Sequence, residues 1–209
     1  LTFILASFDW IMSLEPEWYS TIFGFYNIAG LLLNSMAVMT ITVILLRRYG
    51  VLPHVNENHL HDMGKLVFAF SVFWAYIWFS QLMLIWYSNI AEEVTYFVKR
   101  HDGGWYFPFY LTVLLKWFIP FLALISRSAK RNEKRLFAIC IIVVIGHWLD
   151  MYTMILPVFE SSPVFGFYEI LTFVGFASLF AFFLIRKLGK TPLIPSKDPL
   201  LEESIHLHN

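Results

Sequence analysis

The stretch that decides the fold is Phe107–Ile125, FPFYLTVLLKWFIPFLALI, read with its neighbour Leu136–Leu156, LFAICIIVVIGHWLDMYTMIL. Each has close to the roughly 20 mostly apolar residues that a helix needs to cross a bilayer. Each also carries groups that hydrocarbon penalises: Lys116 near the middle of the first, His147 and Asp150 in the second. A charge at the bilayer centre costs about 2.5–3.5 kcal/mol on insertion scales, so such residues take partners. Lys116 lies too deep for its stem to bring the ammonium fully to the headgroups. A short link between the two spans sets Lys116 and His147 at nearly the same depth. Asp150, three residues beyond His147, shares its helical face. The three therefore form a candidate proton-accepting cluster inside the membrane. The plainer reading is a Lys116–Asp150 pair that only locks two helices together.

Composition agrees with a membrane setting. The chain is 58% hydrophobic and 14% charged, against roughly half and a quarter in soluble domains. Its net charge is zero and 19% of its residues are aromatic, which argues for lipid as the surrounding and against nucleic acid as a partner. Cys140, the single cysteine, reads as a small buried hydrophobe. One thiol makes no internal disulfide and, alone, holds no iron–sulfur cluster.

The fold expected is all-α, a polytopic membrane bundle with five complete spans and the end of a preceding one. Leu1–Phe8 reads as the tail of an earlier helix, and the chain as the C-terminal part of a larger polypeptide. Asp9–Tyr19 is an acidic loop, with Pro16 and Trp18 suiting a helix start at the interface. The membrane domain covers 20–186, with spans at about Ser20–Leu46, Gly64–Ile90, Phe107–Ile125, Leu136–Leu156 and Phe167–Ile185. Pro120 is expected to kink the third span, and Asp102-Gly103-Gly104 to make a turn in the loop Ala91–Tyr106. Residues 187–209 form the tail, of which Thr191–Asn209, polar and Pro-containing, is expected to be extended. Basic connections (Arg47 and Arg48; Arg127 to Arg135; Arg186 to Lys190) alternate with acidic or mixed ones. The positive-inside rule then puts the tail in the cytoplasm and the acidic loops outside, in the periplasm of a bacterial inner membrane.

Other residues invite chemistry. Ser71, Trp74, Trp78, Gln81 and Ser88 form a stripe at helical spacing. An amide among tryptophans suits the head of a quinone, and Trp74, Trp78 and Gln81 are the quinone-binding candidates; packing against neighbouring helices is the alternative. Asn34 lies midway along the first span, either bonding across helices or lining a water path. Asp62 with Lys65 reads as a surface i,i+3 pair, or as a carboxylate that collects protons at the cytoplasmic mouth. His54, His59 and His61, and His206 and His208 in the tail, lack the companion ligands and fixed spacing of a zinc site. His147 is the one histidine clearly inside a span, so this chain alone builds no bis-histidine haem.

Three segments carry a family likeness: Phe8-Asp9-Trp10-Ile11-Met12-Ser13-Leu14-Glu15-Pro16-Glu17-Trp18, His61-Asp62-Met63-Gly64-Lys65 leading into Trp74 to Gln81, and Gly146-His147-Trp148-Leu149-Asp150-Met151-Tyr152. They resemble the ActF-type membrane subunit of alternative complex III, within the polysulfide-reductase/NrfD-like family, and the likeness extends from Leu1 to about Arg186. The resemblance implies a larger subunit of two four-helix bundles, of which this chain holds the second bundle and a final helix. With one histidine clearly inside a span and one cysteine, the chain shows no electron carrier of its own. The implied partners are a sister NrfD-like membrane subunit, an iron–sulfur protein, cytochrome c subunits bearing haem c, and a terminal oxidase. The implied activity of the whole is quinol oxidation, with this subunit conducting protons or acting as scaffold. His147, Asp150 and Tyr152 are the positions matched within the likeness. With Lys116, Asn34 and Asp62 they complete the proton-path candidates. The alternatives are a quinone-binding subunit, a purely structural anchor and a stand-alone transporter.

Overall fold

The computed structural model describes residues 1–191, 193, 199 and 201–205. Among these there are helices and no strands. In chain order they are α1 (Thr2–Trp10), α2 (Phe23–Arg48), α3 (Glu57–Ser88), α4 (Ala91–Lys99), α5 (Tyr106–Leu124), α6 (Arg127–Arg131), α7 (Glu133–Ile155), α8 (Phe167–Leu188) and α9 (Leu201–Ile205). α2, α3, α5, α7 and α8 are long and apolar enough to cross a membrane. The chain is an all-α, multi-pass membrane bundle.

Helix starts follow local chemistry. The Asn56 side chain accepts from Asn58 N and His59 N, and His59 Nδ1 reaches back to Asn56 N at 3.2 Å. This capping box, with a histidine in the usual Glu position, starts α3 seven residues ahead of the expected Gly64. Ser126 caps α6 and Asn132 caps α7 through Arg135 N. Such a cap typically stabilises a helix by about 1 kcal/mol. α3 ends at Asn89, whose φ of 49° is left-handed.

The acidic loops hold more structure than expected. The first helix continues past Phe8 to Trp10, and a 3-10 turn follows at Met12–Leu14. Ala91–Lys99 is an amphipathic helix, with Tyr96 and Phe97 buried and Glu92, Glu93 and Lys99 towards solvent. The expected turn is present, with φ of 58° at Gly103 and 89° at Gly104. A side chain at Gly103 would also run into Ser161 O, so two loops close over one another there. In the tail, Leu201–Ile205 is a short helix rather than extended chain; His206 and His208 lie outside the described residues.

α2, α3, α5 and α7 enclose the core, where Leu33, Ala37, Val67, Trp74, Cys140 and Val143 are fully buried. Between lipid-bathed helices, association comes from close packing and buried polar contacts rather than from water exclusion. α1 lies along α2. α8 has no buried residue and meets α7 through the contact of Trp148 with Phe173, while Tyr152 packs on Phe165 in the link before α8.

The bundle is laced at both ends. At the basic end, Glu133 accepts from Arg47 at 3.2 Å and Arg48 at 2.7 Å. Lys130 Nζ donates to Leu124 O at 2.7 Å, closing the end of α5. At the acidic end, Trp18 Nε1 donates to Glu93 O, and Trp105 Nε1 to Glu160 O.

Candidate functional site: an ion pair inside the bundle

Lys116 sits in a π-helical turn, Leu114–Phe118, in the middle of α5. The cause is four residues on. Pro120 has no N–H, so the Lys116 carbonyl loses its i+4 donor, and the chain widens until Ile119 N–H bonds Leu114 O instead. The freed Lys116 carbonyl accepts from Ser71 Oγ on α3 at 2.7 Å. Pro120 therefore acts through a π turn whose loose carbonyl is claimed by a neighbouring helix. Turns of this kind recur at functional sites.

The lysine stem threads between two glycines. A Cβ on Gly146 of α7 would come 2.9 Å from Lys116 Cγ, and one on Gly30 of α2 would come 3.2 Å from Nζ. Three helices can close on the side chain because two of them are bare at that level. Lys116 is 0% exposed and Asp150 2%.

The ammonium meets three partners. Nζ donates to Asp150 Oδ2 at 2.5 Å and faces His147 Nδ1 at 3.4 Å. It also lies 4.1 Å from the centre of the Trp74 ring, an attractive cation–π contact. The other carboxylate oxygen, Asp150 Oδ1, accepts from Tyr26 Oη on α2. Because Lys116 is the donor to Nδ1, the neutral imidazole of His147 carries its proton on Nε2. The cluster is formally neutral, with one ammonium against one carboxylate and both carboxylate oxygens engaged.

The arrangement has a specific capability. Protonating Asp150 removes the charge that holds Lys116, and Nζ then has a second acceptor, His147 Nδ1, without leaving the cavity. Deprotonation restores the first pairing.

The remaining candidates fall elsewhere. Tyr152 is not in the cluster: it lies two residues from Asp150, on another face, and its hydroxyl donates to Val164 O at 2.8 Å. Asp62 is at the basic end, paired with Lys65 at 2.7 Å. Asn34 lies one helical turn from Gly30, half-buried, with Oδ1 shielded from solvent and without a hydrogen-bond partner. Of the quinone candidates, Trp74 is fully buried against Lys116 and Tyr26, and Gln81 is buried. Trp78 lines a groove of about 390 Å³ with Tyr76, Phe79 and Trp117, but Trp74 and Gln81 are not on its walls. The stripe therefore does not make one slot. Among the described residues, no three His, Cys, Asp or Glu side chains converge as metal ligands would.

Tyr26, Gly30, the bond from Ser71 to the Lys116 carbonyl and the cation-facing role of Trp74 are absent from a sequence reading. The Pro120–Lys116 spacing was the available signal, since a proline always strips the carbonyl four residues back. The same logic finds a second missed cluster. Pro157 strips the Thr153 carbonyl, and that oxygen accepts from Arg100 Nε at 3.0 Å. Arg100, 1% exposed, also donates to Met154 O at 2.8 Å and to Glu15 Oε1 at 3.0 Å. Its guanidinium lies 3.3 Å from the centre of the Tyr96 ring, and Lys99 holds the other Glu15 oxygen at 3.0 Å. This knot ties the acidic loops to the last turn of α7, one turn beyond Asp150. No protein-family model matches this chain and no curated protein is detectably similar to it, so any functional reading rests on this side-chain geometry and on the sequence.

Proposed function

We propose that this chain is a proton-handling membrane subunit of a respiratory quinol:cytochrome c, or oxidase-linked, oxidoreductase in a bacterial inner membrane. Lys116, Asp150 and His147 form its exchange site. The observation that carries the reading is the buried pair itself, an ammonium and a carboxylate 2.5 Å apart with an imidazole at 3.4 Å, with Lys116 midway along one apolar span and Asp150 inside the next, five residues before its end. Ionisable residues in that position mark ion or proton paths by default. The family likeness of the segments around Glu15, His61 and His147 supports the respiratory setting. In that setting the redox centres belong to the partners: a sister NrfD-like membrane subunit, an iron–sulfur protein and haem c subunits, with a terminal oxidase as acceptor. The alternating basic and acidic loops support a cytoplasmic C-terminus.

In this mechanism Asp150 exchanges the proton and Lys116 follows its charge. Tyr26 orients the carboxylate and offers a hydroxyl through which a proton reaches or leaves Oδ1. His147 accepts Lys116 while Asp150 is protonated. Asn34, on the basic side of the cluster, is the candidate to carry water-borne protons towards it. The tested quantity is protons moved per electron in the assembled complex. Asp150→Asn is expected to lower it with quinol oxidation still measurable. An unchanged ratio in a fully assembled variant contradicts the relay and leaves a structural anchor. A quinone-binding subunit is less well supported, because Trp74 and Gln81 are occupied in packing.

A further inference from the structure

At the acidic end, α4 folds back beside the end of α3 and the start of α5, leaving a cavity of about 630 Å³. Its body is aliphatic and aromatic, with Leu82, Met83, Trp86, Val94 and Phe97 among its walls. Its mouth is polar, with Asn89, His101, Asp102 and Tyr110. A volume of this size is in the range of small-ligand pockets, and its position is where a bilayer's hydrocarbon gives way to headgroups.

The polarity of that mouth is one-sided. His101 Nδ1 lies 2.7 Å from Phe97 O. A carbonyl only accepts, so in the neutral imidazole Nδ1 carries the proton and Nε2 is a lone pair. Tyr110 Oη, at 2.9 Å, gives its proton to that lone pair and presents oxygen lone pairs to the cavity. Asp102 adds a carboxylate and Asn89 an amide oxygen. The two nearby cations are turned away: Lys99 and Arg100 are both bound to Glu15. The mouth therefore offers acceptors, a negative charge and the faces of Trp86 and Tyr110, with the Asn89 amide as a neutral donor and no cation.

We infer that this cavity is a binding site for a phospholipid with a primary ammonium headgroup. The ammonium takes the place among Asp102, Tyr110 Oη and the aromatic faces, and an acyl chain lies along the Leu82–Val94 wall. An ammonium supplies the positive charge that the mouth lacks, and that charge complements Asp102 and the ring faces. A glycerol headgroup on the same phosphate has hydroxyl donors but no positive charge. The site is independent of the Lys116–Asp150 cluster, so failure of one leaves the other standing.

The test reconstitutes the full chain in bilayers of phosphatidylethanolamine and phosphatidylglycerol in equal amounts, then measures the lipid retained after mild detergent by native mass spectrometry. Ethanolamine lipid is expected to be enriched roughly five- to tenfold over glycerol lipid, the ratio for a preference of about 1 kcal/mol. Asp102→Asn is expected to return retention to the bulk ratio, with thermal stability unchanged as the control for folding. Trp86→Leu is expected to reduce the enrichment partway. Phosphatidylcholine, which has no ammonium N–H, is expected to bind several-fold more weakly than phosphatidylethanolamine. Equal retention of all three lipids, or enrichment that survives Asp102→Asn, overturns the assignment. So does saturable occupancy by a short-chain hydroquinone that ethanolamine lipid does not displace, which assigns the cavity to a ring ligand.

Discussion

At the scale of single residues, the cluster is a case in which removing one partner costs more than removing both. A buried charge without its counter-ion costs about 3–5 kcal/mol, whereas an apolar pair of similar volume is often neutral or stabilising. Lys116→Met alone and Asp150→Leu alone are therefore each expected to destabilise the folded chain by a few kcal/mol, and the double variant to recover most of the loss. Chemical denaturation of the reconstituted chain reads this, and additive losses would mean that the two side chains are not coupled. Tyr26→Phe keeps the ring that packs on Trp74, 5.8 Å between centroids, and deletes the hydroxyl that holds Asp150 Oδ1. Its expected cost is about 1–3 kcal/mol, the range for a hydrogen bond to a charged group, together with slower proton exchange. Much of this site was legible: two apolar stretches with misplaced charges, and i,i+3 spacing that put His147 and Asp150 on one face. Tyr26 was not, because nothing in a tyrosine near the start of a span says which helix it will face. Tyr152, next but one to Asp150, looked closer in sequence, but two residues of helix turn a side chain about 200° away.

At the scale of elements, α5 shows why a proline in a span need not break it. The π turn at Leu114–Phe118 absorbs the missing donor, and Ser71 closes the carbonyl left over. Ser71→Ala leaves that carbonyl bare in a dry interior and is expected to cost about 1–3 kcal/mol. Gly146→Ala sets a methyl 2.8 Å from Leu115 Cβ. Overpacking of this order costs about 1–3 kcal/mol and is expected to push α5 and α7 apart, weakening the Lys116–Asp150 contact more than a surface Ala would. Comparing Gly146→Ala with Gly175→Ala, where a Cβ meets nothing within 4 Å, separates a packing effect from a propensity effect. The spans themselves were readable because length and hydropathy decide them. The amphipathic α4 was not, since nine residues with three charges (Glu92, Glu93, Lys99) read equally as loop until Trp18 and Phe109 are there to receive its Tyr96 and Phe97.

At the scale of the whole molecule, the two buried charge clusters lie about one helical turn apart on α7, and both depend on a proline that frees a carbonyl. The outer knot of Arg100, Glu15 and Tyr96 fixes the end of the helix that carries Asp150. Burial pushes the Tyr96 hydroxyl up to about 12, against roughly 10 in an unfolded chain. The folded state therefore holds its proton where the unfolded state has lost it. The contribution is fully present below pH 10 and is lost as the pH rises from about 10 to about 12, in total roughly 2–3 kcal/mol. Tyr96→Phe is expected to flatten that alkaline decline in denaturation curves taken across the interval. The number and order of the spans followed from length and hydropathy. The coupling between the two clusters did not, because it runs through backbone carbonyls that no side-chain pattern displays. The central claim, that the Lys116–Asp150 pair trades protons rather than merely binding two helices, is tested most directly by infrared difference spectroscopy of the reconstituted chain through a pH jump. The account predicts a carboxyl C=O band that appears on protonation, vanishes in Asp150→Asn and shifts in Tyr26→Phe. A spectrum with no such band in the wild-type chain, or one that persists unchanged in Asp150→Asn, contradicts it.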